Sequence, residues 1–296
     1  MSENVHFDCN KQTPRRNTWL NEFERNITSQ SGEDGIIEKV LDVIDENDKW
    51  CVEFGSWDGK TLSNTYNLIH NKGYSAVMIE GDFRRFQDLL KIFDSNEKVI
   101  KINMFVGFEP HNCLDKILET TEIPTNFDLL SIDVDGNDYH IWEMVIVYKP
   151  KVVVIEFNQT IPSCVEFVQP RDMSVSQGSS LLSIDKLAKR KGYELVAVTV
   201  RNAVFVDKKY FGLFGIQDNS VATMRINNEA VTYIFCGYDG TVFIRGCGEL
   251  PNQKIRYRES KMQQLPKWAR KRVGDSNIIR KKLGKLFRRL RKRNII

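Results

Sequence analysis

The sequence has few cysteines, and none of them belongs to a paired motif. Its six cysteines are scattered through 296 residues, and no Cys-x-x-Cys pair occurs. This spacing excludes a cysteine-based zinc framework and fits a reduced compartment. Cys51, which opens an apolar run, is most simply a small buried hydrophobe.

Long apolar runs are also missing. No stretch is apolar over the length that spanning a bilayer requires, and the first residues lack the charged-then-apolar pattern of a secretory leader. We therefore expect a cytoplasmic protein. The hydrophobic fraction of 41% and the charged fraction of 28% are ordinary for a globular chain, and 296 residues suffice for one large core with a small appendage.

The net charge of +4 conceals a strong asymmetry along the chain. Residues 266–296 contain thirteen lysines and arginines but one acid, Asp275, so they carry a net charge of +12 and the remainder carries −8. A basic tail on an acidic body indicates a polyanionic surface as the partner of the tail.

Short apolar runs alternate with segments of helical period between residues 27 and 207. The predicted strands end or lie at 52–54, 76–80, 99–105, 127–133, 152–156, 193–200 and 203–206. Strands that alternate with helices predict a mostly parallel sheet with helices on both faces. The tight turn at Arg201-Asn202 makes the last pair antiparallel, because parallel strands need a long crossover.

The remaining segments complete a four-part organisation. Residues 1–26 are polar and predict a loose lead-in, and 27–207 form the main domain. Alternation around Asp239-Gly240 predicts a hairpin within the extension 208–258. Residues 259–296 form the basic tail. The segment 159–179 has no period and contains prolines, which is typical of a lid or a binding loop.

A Gly-containing turn directly follows the first predicted strand. The stretch V-E-F-G-S-W-D-G at 52–59 ends an apolar run with an acid and then supplies glycines, which let a ligand approach the backbone. In open α/β sheets, ligands bind beyond the carboxyl ends of the strands. The pattern is E-x-G-x-x-x-G instead of G-x-G-x-x-G, so a nicotinamide cofactor is not expected.

Five stretches together carry a family resemblance. They are S-Q-S-G-E-D-G at 29–35, V-E-F-G-S-W-D-G at 52–59, I-E-G-D at 79–82, S-I-D-V-D-G-N-D-Y-H at 131–140 and V-V-I-E-F-N at 153–158. In order and spacing the chain resembles FkbM-type class I S-adenosylmethionine-dependent methyltransferases over roughly residues 27–207. One departure is the D-V-D-G of the fourth strand, where members of the family often have Glu as the second acid.

The resemblance implies a fold and an activity. The implied fold is a Rossmann-like α/β domain with a seven-stranded, mostly parallel sheet whose last strand is antiparallel, followed here by a small hairpin and a basic helical tail. The implied activity is O-methyl transfer from S-adenosylmethionine to a hydroxyl of a sugar, glycan or related metabolite.

The resemblance also implies a cofactor site around the first turn. Gly55 and Gly59 would admit the amino-acid end of S-adenosylmethionine, and Glu53 would receive its ammonium group through water or a turn amide. Glu80 ends the second strand, where a carboxylate can accept both ribose hydroxyls. A tight turn without a ligand is the plain structural alternative. The expected cofactor-binding residues are Gln30, Glu53, Gly55, Ser56, Asp58, Gly59, Glu80 and Asp133.

Several acids near these motifs have a simpler interpretation as helix caps. Asp82 is expected to cap the helix that starts at Phe83, and Asp34 the helix that starts near Ile36. A plain helix entrance is as good an interpretation of Gln30 and Glu33 as a cover over the cofactor.

Two mechanisms remain open for removing the proton of the acceptor hydroxyl. In one, a carboxylate or His140 acts as the general base, with Asp133 and Asp135 as the carboxylate candidates. In the other, Mg²⁺ or another divalent cation bound by Asp133, Glu156 and Asn158 lowers the pKa of the hydroxyl. Alternatively, residues 135–138 only turn the chain and cap the next helix.

The basic tail predicts an amphipathic helix over 278–293. Its apolar residues recur at helical spacing, with lysines and arginines between them, at Ile279, Leu283, Leu286, Phe287 and Leu290. An anionic membrane surface, nucleic acid and docking on the acidic body are the candidate partners, and a disordered tail is the remaining alternative. The apolar stripe favours the inner membrane surface over nucleic acid.

Two other functions compete with O-methyl transfer to a glycan. One is a nucleic-acid methyltransferase that uses the tail as an electrostatic anchor, and the other is a binding protein that kept the fold and lost catalysis. The first predicts steep salt dependence of nucleic-acid binding. The second predicts cofactor binding without turnover, or none.

Overall fold

The computed structural model describes residues 16–45, 48–270 and 277–293. The chain divides between Asn227 and Asn228 into two compact units. The predicted boundary at residue 207 lies inside the first unit, because the short helices that follow it pack with that unit.

The first unit is built on a seven-stranded sheet. Its strands are β1 (Trp50–Phe54), β2 (Ser75–Ile79), β3 (Val99–Ile102), β4 (Leu129–Ile132), β5 (Val152–Glu156), β6 (Tyr193–Val198) and β7 (Asn202–Asp207). The order across the sheet is β3-β2-β1-β4-β5-β7-β6, and β7 runs antiparallel to both of its neighbours while the other pairs are parallel. This is the Rossmann-like fold of class I methyltransferases, which confirms the predicted fold class.

Helices precede, connect and follow the strands. They are α1 (Glu33–Ile44), α2 (Tyr66–Lys72), α3 (Phe83–Ile92), α4 (Leu114–Leu118), α5 (Asp138–Met144), α6 (Leu181–Arg190), α7 (Lys208–Phe211) and α8 (Val221–Met224). Residues 152–155 of β5 and 203–206 of β7 are completely buried, as expected for strands that are covered on both faces. Asp82 caps α3 as predicted, since its carboxylate accepts the N–H groups of Arg84 and Arg85.

The lead-in is more ordered than the sequence predicts. Residues Trp19–Phe23 form a 3-10 helix, in which Trp19 and Leu20 are buried. The indole Nε1 of Trp19 donates a hydrogen bond of 3.0 Å to the carbonyl of Phe214. The prediction of a loose segment is therefore wrong for residues 16–26, because two large apolar side chains bury their surface in the core. Residues 1–15 of the predicted lead-in lie outside the described part of the chain.

The second unit contains the predicted hairpin and the predicted basic helix. The hairpin consists of β8 (Thr232–Cys236) and β9 (Val242–Gly246), and it is followed by a short pair, β10 (Glu249–Leu250) and β11 (Ile255–Arg256). Further on lie α9 (Glu259–Met262), a 3-10 turn at Lys267–Ala269 and α10 (Ile278–Lys292). None of the helices within the described ranges combines the length and the apolar character that crossing a bilayer requires.

Two buried carboxylates in the first turn of α1 explain the S-Q-S-G-E-D-G stretch. Asp34 Oδ2 accepts the backbone N–H groups of residues 27–29 at 2.7–2.9 Å, so the loop before the helix wraps around one oxygen atom. The completely buried Glu33 accepts Thr199 Oγ1 at 2.7 Å and Asn202 Nδ2 at 3.0 Å, which ties α1 to the turn between β6 and β7. Gly32, not Asp34, occupies the N-cap position.

We expect Asp34→Ala to destabilise the protein by about 2–4 kcal/mol, because three amide groups lose their acceptor. Urea unfolding followed by tryptophan fluorescence measures this change in the free energy of unfolding. The matched control is Asp42→Ala, which removes an exposed carboxylate from the same helix. Equal stability of the two variants would contradict the role assigned to Asp34.

Candidate active site

The turns after β1 and β4 are in direct backbone contact. Gly55, with a φ of +69°, lies so close to β4 that a Cβ atom there would be 2.0 Å from the carbonyl oxygen of Asp133. No other residue fits this approach without displacing one of the turns. Gly55 therefore holds the first turn and the fourth strand together at the carboxyl edge of the sheet, whether or not a ligand is bound.

Glu53 faces the protein and not an open cleft. Its buried carboxylate accepts Ser63 Oγ at 2.5 Å, Thr65 Oγ1 at 2.7 Å and the N–H of Asn64 at 2.9 Å. Burial raises the pKa of Glu53, and these hydrogen bonds oppose the rise. Because these contacts hold residues 63–65 at the Glu53 carboxylate, α2 begins only at Tyr66. The predicted contact of Glu53 with the cofactor remains a prediction, and its three donors show a structural role.

Glu80 connects the second strand to the first turn. Its Oε2 accepts the N–H of Trp57 at 2.8 Å, and its Oε1 accepts the N–H of Asp82 at 2.7 Å. Ser56 Oγ donates to the carbonyl of Ile79 at 3.1 Å in the same region. Each oxygen of Glu80 keeps a second lone pair. Glu80 thus keeps acceptor capacity at the end of β2, and its contact with a ribose stays a prediction.

Other predicted cofactor residues make local contacts that do not require a cofactor. A Cβ atom on Gly59 would be 2.6 Å from the ring of Phe93, so helix packing accounts for this glycine. Asp58 accepts the N–H groups of Lys60 and Thr61, which makes a turn. Gln30 is half-buried in the loop that Asp34 organises.

Sequence reasoning missed an aromatic surface beside Glu80. The ring of Phe105 lies over Gly81, where a Cβ atom would be 2.2 Å from it, although 67% of Phe105 is exposed. Trp57 is 43% exposed, and the guanidinium of Arg85 lies over its ring at 5.1 Å. The available signal in the sequence was an aromatic residue, Phe105, at the end of the third predicted strand. In the structure β3 already ends at Ile102, so Phe105 lies in the loop that follows the strand.

Three carboxylates converge at the carboxyl ends of β4 and β5. Asp133, Asp138 and Glu156 each place an oxygen within 4.8 Å of the others. We call these three residues the carboxylate cluster. Asp138 also accepts the N–H groups of Val134 and Gly136, both at 2.9 Å, so it shapes the turn as well. No described residue donates a hydrogen bond to the carboxylate of Glu156.

Mutual repulsion and burial shift the protonation of the cluster. Burial raises the pKa of Glu156 to about 9 and that of Asp133 to about 7, and the neighbouring carboxylates add to both shifts. Burial also raises the pKa of Asp138 to about 6, although the two backbone N–H groups oppose the rise. The cluster therefore carries more negative charge than its surroundings compensate, and either a proton or a cation stabilises it.

The structure changes one member of the predicted metal set. Asn158 does not belong to the cluster, because its Nδ2 donates to the carbonyl of Gln177 at 2.7 Å and its Oδ1 accepts the N–H and the hydroxyl of Thr160. The side chain of Asn158 therefore makes its hydrogen bonds to the loop that follows β5. Asp138, which the sequence placed near this edge only as a turn residue, stands with Asp133 and Glu156 instead.

The loop predicted as a lid is packed onto the turn after β4. Gln169 accepts the N–H groups of Gln177 and Gly178 through Oε1, and its Nε2 donates to Val175, which closes residues 169–178 into a compact strap. We call this segment the strap. Asn137 Nδ2 donates to the carbonyls of Asp172 and Val175, and the Ser176 hydroxyl donates to the carbonyl of Asp135.

The strap makes His140 an unsuitable general base. The ring is buried, and Nε2–H donates to the carbonyl of Gln169 at 2.8 Å. Nδ1 is buried and has no hydrogen-bond partner. Because neither ring nitrogen is available to an acceptor hydroxyl, the prediction for His140 does not fit the structure. Asp135 is exposed in the left-handed region at a φ of +56°, and its carboxylate is free to approach a substrate.

Comparisons with known proteins find similar solved structures but no matching family. No protein-family model and no curated protein matches the sequence. An O-methyltransferase from Bacillus cereus, solved with S-adenosylhomocysteine, is similar over 62% of this chain and 84% of its own, with 16% identity and a TM-score of 0.43. A SAM-dependent methyltransferase from Aquifex aeolicus is similar over 63% of this chain and 94% of its own, with 11% identity and a TM-score of 0.38.

A third similar structure is TrmK of M. capricolum with S-adenosylhomocysteine, which covers 57% of this chain and 66% of its own at 12% identity and a TM-score of 0.33. All three TM-scores are below 0.5. The fold assignment therefore rests on the strand order of the sheet.

The raised pKa values of the cluster predict a loss of stability as the pH rises. A carboxyl whose folded-state pKa exceeds its unfolded value stabilises the fold while it is protonated, and this contribution disappears as the pH passes the folded pKa. In metal-free buffer we expect the melting temperature of the wild type to fall between pH 5 and pH 9 by about 3 °C more than that of Glu156→Gln. Glu109→Gln, an exposed glutamate, is the control. Parallel profiles for wild type and Glu156→Gln would contradict the raised pKa of Glu156.

Proposed function

We propose that this chain transfers a methyl group from S-adenosylmethionine to a hydroxyl oxygen, most readily on a sugar or glycan. The observation that carries the proposal is the carboxylate cluster at the carboxyl edge of a class I methyltransferase sheet. In open α/β sheets this edge is where ligands bind. The cluster lies at the carboxyl ends of β4 and β5, next to the turn after β1, where the cofactor is expected.

The edge of β1 to β3 supports a nucleoside-binding site. Glu80 offers its remaining lone pairs to the ribose hydroxyls, and Phe105 offers an exposed ring for the adenine. Stacking on an aromatic ring adds about 0.5–1.5 kcal/mol to apolar burial. The exposed first turn around Gly55 is left for the amino-acid end of the cofactor.

The cluster supports a hydroxyl acceptor. Methyl transfer forms a C–O bond and breaks the C–S bond of the sulfonium, which leaves S-adenosylhomocysteine, and the hydroxyl proton must go to a base. A carboxylate whose pKa is raised accepts that proton more readily than an ordinary one. Asp133, with a pKa of about 7, meets this requirement near neutral pH, whereas Glu156, with a pKa of about 9, holds a proton there. Asp135 is the exposed candidate beside them.

The donor set of the cluster also fits a divalent cation. Three carboxylates with only oxygen ligands suit Mg²⁺ or a similar hard cation, and Glu156 has no competing donor among the described residues. Asp133, Asp138 and Glu156 would hold the ion. When bound, such an ion lowers the pKa of a coordinated hydroxyl.

The polar surroundings of the cluster support a polyhydroxylated acceptor. The strap and the turn after β4 place amide, hydroxyl and carboxylate groups beside the cluster, and Asp135, Ser174 and Ser176 are exposed there. Sugar hydroxyls pair well with such groups. The motifs that resemble FkbM-type methyltransferases point to the same class of acceptor.

Calorimetric titration with S-adenosylmethionine and S-adenosylhomocysteine tests the cofactor site. We expect binding to the wild type, and affinity losses of about tenfold or more for Glu80→Gln and Phe105→Ala, because a charge-assisted hydrogen bond and a stacking ring are removed. Phe235→Ala, an exposed phenylalanine of the hairpin, is the control. Gly55→Val would not distinguish a lost cofactor contact from a disrupted fold, because a side chain at this position displaces the backbone contact with Asp133.

If neither compound binds, the chain has the fold without the cofactor, and a binding function takes precedence. Binding with no turnover of any hydroxyl acceptor would support the same conclusion. Turnover of RNA or DNA in preference to glycans would replace the acceptor class.

A thermal-shift titration with Mg²⁺ tests the cation. Because the ion competes with protons for the carboxylates, we expect it to raise the melting temperature more at pH 8.5 than at pH 5.5, by about 2–4 °C at saturation. The shift should disappear in Glu156→Gln and persist in Asn158→Ala and Glu109→Gln. A Mg²⁺ effect that persists in Glu156→Gln would move the ion away from the cluster and leave the carboxylates as bases.

A further inference from the structure

The two units of the chain carry opposite net charges. Residues 228–296 contain eighteen lysines and arginines against five acidic residues, a net charge of +13, while residues 1–227 carry a net charge of −9. The residues proposed for methyl transfer all belong to the first unit. The second unit therefore has a property that the proposed reaction does not explain.

One face of α10 is packed within the second unit. Gly284 is buried, and a Cβ atom there would lie 3.5 Å from the carbonyl oxygen of Ala269. Arg288 donates a hydrogen bond to the same carbonyl oxygen. The rings of Trp268 and Phe287 meet edge to face with their centroids 5.1 Å apart. These contacts orient the helix on the turn at Lys267–Ala269.

A different face of α10 presents aliphatic side chains to solvent. Ile279, Leu283 and Leu286 follow each other at spacings of four and three residues, so they lie on one line along the helix. They are 72%, 53% and 54% exposed. We call these three residues the apolar stripe. Because the packed face uses Gly284 and Phe287 instead, the described contacts of the helix leave the stripe uncovered.

Basic side chains border the stripe. Lys282, Lys285 and Arg289 are exposed, and at 100° per residue they lie beside the stripe on one side of the helix. A helix with an aliphatic stripe and a cationic border inserts the stripe between lipid acyl chains while its cations meet anionic headgroups. Each lysine or arginine near such a surface contributes about 1 kcal/mol.

The composition of the face favours lipid over nucleic acid. Phosphate neutralisation needs the cations but gains nothing from three aliphatic side chains between them. Proteins that bind single strands place aromatic rings beside the cations, where bases stack, and the stripe contains none. Trp268, whose ring contacts Phe287 of α10, is 44% exposed, and an indole suits the headgroup region of a bilayer.

We propose that α10 is a membrane-surface helix, and that its apolar stripe and basic border bind the anionic face of a lipid bilayer. The inference is independent of methyl transfer. It assigns the second unit the role of holding the chain at a lipid surface, parallel to the plane of the bilayer.

Flotation of the full-length protein with vesicles tests the proposal. With vesicles of phosphatidylcholine and about 30% phosphatidylglycerol we expect the protein to float, and with pure phosphatidylcholine we expect it to remain at the bottom. The triple variant Ile279→Ala, Leu283→Ala, Leu286→Ala should lose at least about tenfold in its partition coefficient, because the apolar area is removed while alanine preserves the helix. Lys282→Gln, Lys285→Gln, Arg289→Gln should lose a similar factor at low salt.

The matched control removes exposed apolar residues from the first unit. Ile146→Ala, Val147→Ala, Leu213→Ala changes side chains that are 71%, 57% and 50% exposed, and it should float like the wild type. Unchanged flotation of the stripe variant would overturn the proposal, as would wild-type protein that does not float. Binding to RNA with a steep salt slope but not to vesicles would replace lipid by nucleic acid. A dimer that becomes monomeric in the stripe variant, without flotation, would identify a second copy as the occupant.

Discussion

A carboxylate that is removed from water must receive hydrogen bonds, and the first unit is organised by the way in which it supplies them. Asp34 draws its donors from residues 27–29, Glu53 from residues 63–65 and Asp115 from residues 146–148. In each case three consecutive residues of a connecting loop turn toward one side chain on another segment. Backbone N–H groups, which supply all three bonds to Asp34 and to Asp115 and one of the three to Glu53, are rigidly attached to the chain, so such a loop has little conformational freedom left. The buried charges therefore determine the paths of loops that contain no regular structure.

The carboxylate cluster does not receive donors in this way. This difference distinguishes a candidate site from carboxylates that only hold loops in place. Asp138 receives two backbone N–H groups, but Glu156 receives none from any described residue, and each of the three charges raises the cost of the others. A fold that elsewhere supplies three donors for a single carboxylate leaves these three under-compensated at the edge where ligands bind. Such a group needs compensation, which a proton, a divalent cation or a bound substrate can supply. The acceptor hydroxyl and the methyl donor would meet beside this group.

The sequence predicted the features that depend on nearby residues, and missed those that depend on distant ones. Alternating apolar runs located all seven strands, and Asp82 was correctly assigned as a cap because a cap and its helix are adjacent. The meeting of Asp133 and Glu156 was also accessible, since parallel strands end at the same edge. Asn158 lies only two residues past β5, yet its orientation depends on Thr160 and Gln177, which no periodicity describes. The same limitation applies to Asp34, whose side chain turns back to the preceding loop, and to the order of β6 and β7.

In the proposed reaction, the strap limits which residue could take the proton of the acceptor. By accepting the Nε2–H of His140 at the carbonyl of Gln169 it removes the one neutral base in the motif, and the close approach of Gln169 and Ser176 to Gly136 leaves no space for a side chain there. A base that acts near neutral pH must then be a carboxyl whose pKa lies well above that of a solvated acid. Burial and mutual repulsion provide that property in Asp133, whose pKa they raise to about 7, while Glu156, with a pKa of about 9, holds a proton near neutral pH. Burial, mutual repulsion and the shortage of hydrogen-bond donors make the cluster unfavourable for the stability of the fold. The same three properties make it suitable for accepting a proton or a cation.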